Sequence, residues 1–222
     1  MEKHIVKVLE THFVTHNVKQ FDIEKPKGYT FIPGQATDVS INKPGLEDDL
    51  HPFTFTALNE WDHLQFTIKC YTDHDGMTNK LLQVNEGDEL ILHEVFGAIN
   101  YKGPGLFIAG GAGVTPFIAI LRQLHKDGQL KDCKLLFANK SSEDIILRKE
   151  FEGMLGENFI NILDKSDDRN IMEGHIDKQL LAIYATNAMK YFYVCGPDKF
   201  VESMVKYLEE LGKKKEQIII EE

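Results

Sequence analysis

The sequence predicts two consecutive domains: an antiparallel β-barrel over residues 1–101, then a doubly wound α/β domain over 102–222 on a five-stranded parallel sheet. Two patterns and a break carry that expectation. Up to about residue 100, short alternating segments recur between turn signals, the spacing of an antiparallel barrel or sandwich. Beyond it, buried-strand runs alternate with amphipathic helical runs, which implies a parallel sheet covered on both faces. Between them Tyr101-Lys102-Gly103-Pro104-Gly105 continues neither kind of element.

The first-half strands are expected at 5–9, 18–23, 36–41, 53–58, 64–71 and 89–93, with a short helix at 78–84. The second-half strands are expected at 106–109, 134–138, 159–163, 191–194 and 217–220. The first helix between them puts Phe117, Ile120, Leu121 and Leu124 at i, i+3, i+4 and i+7, one apolar face. No internal repeat is present. A barrel followed by a doubly wound half fits ligands held at a domain interface, and an unrelated two-domain binding protein would share that composition.

Composition narrows the classes. The chain has 222 residues, enough for two small cores, with 42% hydrophobic and 27% charged residues. Residues 1–17 lack a seven-residue apolar run, and nowhere is there the roughly 18-residue apolar stretch of a spanning helix. The expectation is a cytoplasmic chain without a membrane span. Cys70, Cys133 and Cys195 are odd in number and far apart, with no spacing that holds zinc or an iron–sulfur cluster, so no metal is expected and a redox centre would be an organic cofactor or a partner's. A net charge of −10 argues against nucleic acid, whose phosphates it would repel. Lys213-Lys214-Lys215 reads as a solvated turn, and the closing acids as a solvated tail.

The most informative run is Gly105 to Phe117, G-L-F-I-A-G-G-A-G-V-T-P-F. An apolar strand enters Gly110-Gly111-Ala112-Gly113, where glycines permit a sharp turn and close backbone approach. Thr115 is placed to cap the following helix and Pro116 to sit in its first turn. Bare glycine amides at a helix start form an anion site, although a tight strand–helix turn without a ligand uses the same residues. The spacing is not the G-x-G-x-x-G dinucleotide fingerprint.

Gly110 to Phe117 resembles the G-G-x-G-[IV]-T-P motif of the ferredoxin-NADP reductase family, which includes flavodoxin and cytochrome b5 reductases. Further landmarks follow in order along nearly the whole chain. Phe31 to Gln35, F-I-P-G-Q, is similar to the family's barrel motif. His51 to Thr54, H-P-F-T, stands where the family carries R-x-[YF]-[ST], its flavin-binding signature. Asp75 to Leu81 resembles the G-x-[ST]-x-x-L phosphate turn, and Tyr193 to Phe200 the C-G-P motif.

The resemblance implies an NAD(P)H-dependent flavoprotein reductase that passes hydride to bound FAD and electrons to an external acceptor such as flavodoxin, ferredoxin or a haem protein. FMN in place of FAD, a free-flavin or quinone reductase, and a redox-silent nucleotide-binding regulatory subunit stand beside it as alternatives. The oligomeric state is not legible.

On that resemblance His51, Pro52, Phe53 and Thr54 lie along the flavin, with Phe53 against the ring and Thr54 near the atom that accepts hydride. Ile68, Lys69 and Tyr71 line the same site, and Gly76, Met77 and Thr78 present amides to the pyrophosphate. Gly110, Gly111 and Gly113 cradle the nicotinamide dinucleotide. Thr115 touches both cofactors, and Cys195, Gly196 and Pro197 border the nicotinamide. Thr54 and Cys195 are the candidate catalytic residues.

His51 departs from the family arginine. A neutral imidazole offers one donor in place of a bidentate cation, a loss of roughly 1.5–3 kcal/mol, with Lys80 or His74 placed to assist. After the third strand, Asp164 accepts hydrogen bonds from an adenosine ribose and repels a 2′-phosphate, which favours NADH, while Lys165 pulls toward NADPH. No aromatic follows the last strand, so the flavin face is expected to be open.

Overall fold

The structure, a computed structural model, describes residues 3–72, 76–97, 99–166, 168 and 171–221. His74 and Asp75 lie outside the described residues.

The first half holds β1 (His4–Phe13), β2 (Val18–Glu24), β3 (Gln35–Ile41), β4 (His51–Thr54), β5 (His63–Lys69) and β6 (Glu89–Gly97). They form one antiparallel sheet in the order β4-β3-β6-β1-β2-β5. Register shifts at Val8/Glu10 and Thr37/Val39 bend the sheet. Its edges then meet: Phe55, just past β4, bridges Phe66 of β5, and the Thr56 amide donates to the Gln65 carbonyl at 2.8 Å. The expected strand at 53–58 is therefore β4 starting two residues earlier and continuing as the closing seam. Inside, Phe55 stacks between Phe31 and Phe66 at centroid distances of 4.3 and 5.2 Å. The helix expected at 78–84 is shorter and tighter: α1 (Met77–Lys80) passes into a 3₁₀ turn over Leu81–Gln83. Lys19, buried on β2, ties that segment down by donating to the carbonyls of Leu82 at 3.2 Å and Val84 at 2.6 Å.

The second half carries β7 (Gly105–Gly110), α2 (Thr115–Lys126), β8 (Lys134–Asn139), α3 (Arg148–Leu155), β9 (Phe159–Leu163), β10 (Met172–Glu173), α4 (Lys178–Tyr184), β11 (Tyr191–Cys195), α5 (Asp198–Glu210) and β12 (Ile218–Ile220). The strands are parallel in the order β10-β9-β8-β7-β11-β12. All five expected strands are present, and the two-residue β10 adds a sixth at the edge of β9. One face is covered by α2 and α3, which bury Phe117, Leu121 and Phe151; the other by α4 and α5, which bury Leu181, Met204 and Leu208.

Successive strands run outward from β7 through β8 and β9, and the chain then returns to place β11 on the other side of β7. That reversal is a topological switch point, and the crevice beyond the carboxyl ends of β7 and β11 is where open α/β sheets receive ligands.

Candidate functional site

At that crevice a cleft of about 770 Å³ opens between the sheet's carboxyl edge and the barrel. The barrel wall is Pro52, Phe53 and Thr54 of β4, Thr67 and Lys69 of β5, and Tyr71. Period-two alternation explains the pair on β5, since residues 67 and 69 share a face. Phe53 is half-buried, Thr54 buried and Tyr71 45% exposed, so aromatic surface faces the cleft. The Lys69 ammonium lies 5.8 Å from the Tyr71 ring centre.

The opposite wall is the turn from Gly110 through Gly113 and Thr115, with Cys195, Gly196 and Pro197 from the end of β11. The glycines are forced by packing. A Cβ on Gly113 would lie 2.3 Å from the Cys195 carbonyl oxygen and 2.5 Å from the Gly196 Cα. Phe200 lies over the same point, 3.1 Å from a Cβ on Gly110 and 2.8 Å from one on Gly196. Gly111, at φ +52°, has no atom of the described residues other than its chain neighbours within 4 Å of its Cβ position, so its missing side chain leaves room in the cleft.

Thr115 does not cap α2. Val114 occupies the cap position with helical backbone, and Thr115 is the first helical residue, its hydroxyl donating to the Ala112 carbonyl at 3.0 Å. The turn closes as a 3₁₀ segment over Gly111–Val114 that runs straight into α2 and leaves no extended residue to act as cap. Pro116 sits in the first turn as expected.

Several expected residues stand outside the cleft lining. Ile68 and Met77 are buried in the barrel core, with Met77 pointing inward from α1. Gly76 caps α1 in an extended conformation, and Thr78, the second residue of the helix, has its hydroxyl 3.5 Å from the Tyr71 amide. Four residues align too few dipoles for a strong anion site. His51 lies beside Pro52 but faces Asp49, with Nε2 3.1 Å from its Oδ1, and Lys80 reaches the other oxygen of the same carboxylate at 3.5 Å. Asp164 lines the cleft; Lys165 does not.

The cleft also holds residues that pattern reading missed. Asn139, at the end of β8, is buried to 7% exposure, and neither polar atom of its side-chain amide has a hydrogen-bond partner among the described residues. The available signal was a polar residue closing an apolar parallel strand, at the edge where such sheets bind ligands. His175 sits 3.0 Å from Asp164, a pairing across eleven residues that no spacing rule announces. Glu221 is not a free tail residue: the Cys195 thiol donates to its Oε2 at 3.5 Å.

Burial first, and the Glu221 charge second, push the Cys195 thiol well above the ordinary range. It stays protonated at neutral pH and is a poor nucleophile. In native protein at pH 8, iodoacetamide is expected to leave Cys195 unmodified and to label it after denaturation; prompt native labelling would contradict a buried protonated thiol.

A closed six-stranded barrel, a parallel sheet and a glycine-walled cleft between them define the two-domain flavin- and nicotinamide-binding oxidoreductase class. A family model described as "FAD-binding domain" matches residues 3–137, and one described as "Oxidoreductase NAD-binding domain" matches residues 107–206. The chain belongs to this FAD-binding family, and its second half matches the oxidoreductase NAD-binding domain.

The chain is 27% identical to the reductase component of propane 2-monooxygenase from Rhodococcus jostii, over 87% of this chain and 56% of that protein. It is 26% identical to NADH–cytochrome b5 reductase 1 of Arabidopsis thaliana, over 93% of this chain and 79% of that one. It therefore spans little more than half the length of the monooxygenase reductase. Among solved structures, the CS-b5R domains of human Ncb5or superpose with a TM-score of 0.84 at 26% identity, covering 98% of this chain and 68% of that one. A ferredoxin NADP⁺ reductase from Neisseria gonorrhoeae, solved with bound FAD and NADP, gives 0.85 at 18% identity over 98% and 97%, a likeness of fold. Among the described residues, no helix is long and apolar enough to cross a membrane.

Proposed function

We propose that this chain is an NAD(P)H-dependent flavoprotein reductase: it moves hydride from a nicotinamide dinucleotide to FAD within the cleft and hands electrons to an external acceptor protein. The observation that carries the reading is the cleft itself, where a half-exposed aromatic wall from the barrel faces a glycine turn at the sheet's switch point.

The residues present fit both groups. Phe53 and Tyr71 offer flat apolar surface, with Thr54 and Lys69 as donors at its edge, a match to a planar heterocycle with polar rim atoms. Across the cleft, the Asn139 amide, without a partner among the described residues, and the open space above Gly111 suit a hydrogen-bonding ligand pressed against backbone.

When bound together, the two cofactors supply the hydride donor and acceptor. The protein's part is placement. Phe53, Pro52 and Tyr71 flank the flavin ring, with Ile68 packed behind that wall. The Thr54 hydroxyl, at the cleft edge of β4, would hold the flavin ring at the edge where hydride is taken up. His51 and Lys80, joined through Asp49 just outside the cleft lining, would meet the flavin phosphates, and the backbone amides of Gly76, Met77 and Thr78 would add to them only weakly. Gly110, Gly111, Gly113 and Thr115 carry the nicotinamide nucleotide, and Gly196 and Pro197 let its ring approach. Cys195 borders that ring as a protonated thiol and forms no covalent bond. In this division of labour the barrel ends at Tyr101.

Asp164 favours NADH by accepting from the adenosine ribose, and Lys165, outside the cleft lining, opposes it weakly. Asp164→Ser is expected to raise the efficiency with NADPH relative to NADH about tenfold, near 1.4 kcal/mol. An unchanged ratio in steady-state assays with both nucleotides would remove Asp164 from the specificity determinants. The reading as a whole is tested by adding NADH without oxygen to FAD-loaded protein: the flavin band bleaches, and a one-electron acceptor restores it. A flavin band indifferent to NADH and NADPH would leave a nucleotide-binding module in place of a reductase.

A further inference from the structure

We infer that Arg122 is a positioning residue for hydride transfer: it locks α2, whose first turn lines the cleft, to the barrel wall that faces it. The inference rests on the cleft reading above, but its geometry stands on its own.

Arg122 lies on α2, seven residues and so about 10 Å along the axis from Thr115. Its side chain is 10% exposed and fully engaged. Nε and Nη2 donate to the two carboxylate oxygens of Glu150 on α3 at 2.5 and 2.8 Å. Nη1 crosses to the barrel, donating to the Thr56 carbonyl at 2.6 Å and to Gln65 Oε1 at 2.7 Å. The guanidinium carbon lies 5.2 Å from the centre of the Trp61 ring system. One turn along the same helix, Lys126 pairs with Glu60 of the barrel. A single planar cation thus joins an α/β helix, the barrel's closing seam and an aromatic face, a combination that a flexible lysine cannot span.

The contact continues toward the cleft. Gln65 Oε1, which accepts from Arg122, also accepts from the Thr56 hydroxyl at 3.1 Å, and that hydroxyl lies 3.2 Å from Thr67 Oγ1. Thr67 lines the cleft. The polar clamp is bordered by a tight apolar seam: a Cβ on Gly34 of the barrel would lie 2.0 Å from the Ile99 carbonyl and 3.0 Å from Ile120 Cδ1 of α2.

Two domains joined by a modest interface shift relative to one another unless something holds them. Here each half carries one wall of the cleft, so a shift between halves changes the separation of two rings while leaving each wall intact. Losing the clamp therefore affects the transfer rate and spares the affinity for either cofactor.

The test uses Arg122→Ala and Arg122→Lys in the full chain. In FAD-loaded protein mixed anaerobically with NADH, the limiting rate of flavin reduction is expected to fall about tenfold in Arg122→Ala. FAD and NAD⁺ dissociation constants stay within about twofold, and Arg122→Lys falls between. Trp61 is the chain's only tryptophan, so acrylamide quenching of its fluorescence, with and without FAD, reports whether the seam has opened; quenching rises in Arg122→Ala. An unchanged limiting rate with a lower melting temperature would overturn the inference and leave Arg122 a purely structural residue. So would a rate that falls only in proportion to lost FAD. If the unaltered protein is not reduced by NADH yet quenching rises in Arg122→Ala, the clamp stands as a domain lock, the positioning role falls, and the reductase reading is at fault.

Discussion

Gly113→Ala is expected to slow NADH-driven flavin reduction about a hundredfold, the cost of moving reacting groups by roughly 1 Å. The new Cβ would sit 2.3 Å from the Cys195 carbonyl oxygen, 2.4 Å from its carbonyl carbon and 2.5 Å from the Gly196 Cα. All three are backbone atoms of the β11 terminus, so no side chain can rotate out of the way. The turn and the β11 end must separate, and Cys195, Gly196 and Pro197 move with that end. Gly111→Ala is the informative companion. Its Cβ meets no atom of the described residues beyond its chain neighbours within 4 Å, and its φ of +52° costs an alanine about 1 kcal/mol. If the cleft receives a nucleotide against this turn, Gly111→Ala weakens nucleotide binding although the protein has room for the methyl group. Stopped-flow reduction and NAD⁺ titration of both variants check the pair. Wild-type rates in Gly113→Ala would mean that the turn does not set the reaction geometry.

Tyr193→Phe is expected to destabilise the chain by roughly 2–3 kcal/mol, because it leaves hydrogen-bonding groups of the interdomain connection without partners. The Tyr193 hydroxyl donates to the Gly103 carbonyl at 2.7 Å and accepts from the amides of Lys102 and Gly103 at 2.9 and 3.0 Å. Its ring is fully buried, stacked on Phe107 at 4.5 Å and near Tyr101 at 5.9 Å. At about 2–4 °C per kcal/mol for a chain of this size, the melting temperature falls by roughly 4–12 °C. Ionisation supplies an independent signature. Burial pushes the Tyr193 phenol up to about 12 and the Cys70 thiol up to about 11. Both folded values lie above those of the unfolded chain, about 10 and 8.5. Their contribution is fully present below the unfolded values and is lost as pH rises toward the folded ones. Lys19, lowered by burial, works the other way. Melting temperature is therefore expected to drop between about pH 9 and 12, and Tyr193→Phe to lose the phenol's share of that drop. Equal alkaline profiles for the two proteins would remove Tyr193 as its source.

The parts of this fold that were legible were those written in periodicity. The α2 stripe of Phe117, Ile120, Leu121 and Leu124 is buried. The five second-half strands fall within a residue or so of their expected positions, because a strand covered on both faces must be apolar throughout. Closure of the barrel was not legible, since it depends on Phe55 meeting Phe66 across a seam that no alternation pattern marks. Helix α1 fell short of its expected span because the chain tightens into a 3₁₀ turn after Lys80. The capping expectation for Thr115 failed where glycine let the chain enter the helix through a 3₁₀ turn.

For the cleft, motif order located Phe53, Thr54, the glycine turn and Cys195. It could not reveal Asn139 or His175, which matter only through what lies opposite them, nor the link from Glu221 back to Cys195. Arg122 was invisible for the same reason: on the sequence it is one polar residue on an amphipathic helix, and only assembly puts Thr56, Gln65, Trp61 and Glu150 around it.

The central claim is that the two walls of the cleft hold hydride donor and acceptor against each other. Anaerobic stopped-flow absorbance of FAD-loaded protein, mixed in parallel with NADH and NADPH, tests it most directly. The expected result is rapid loss of the flavin band with NADH and slower loss with NADPH. A flavin band that persists with both nucleotides, in protein shown to bind FAD and NAD⁺, would contradict the account.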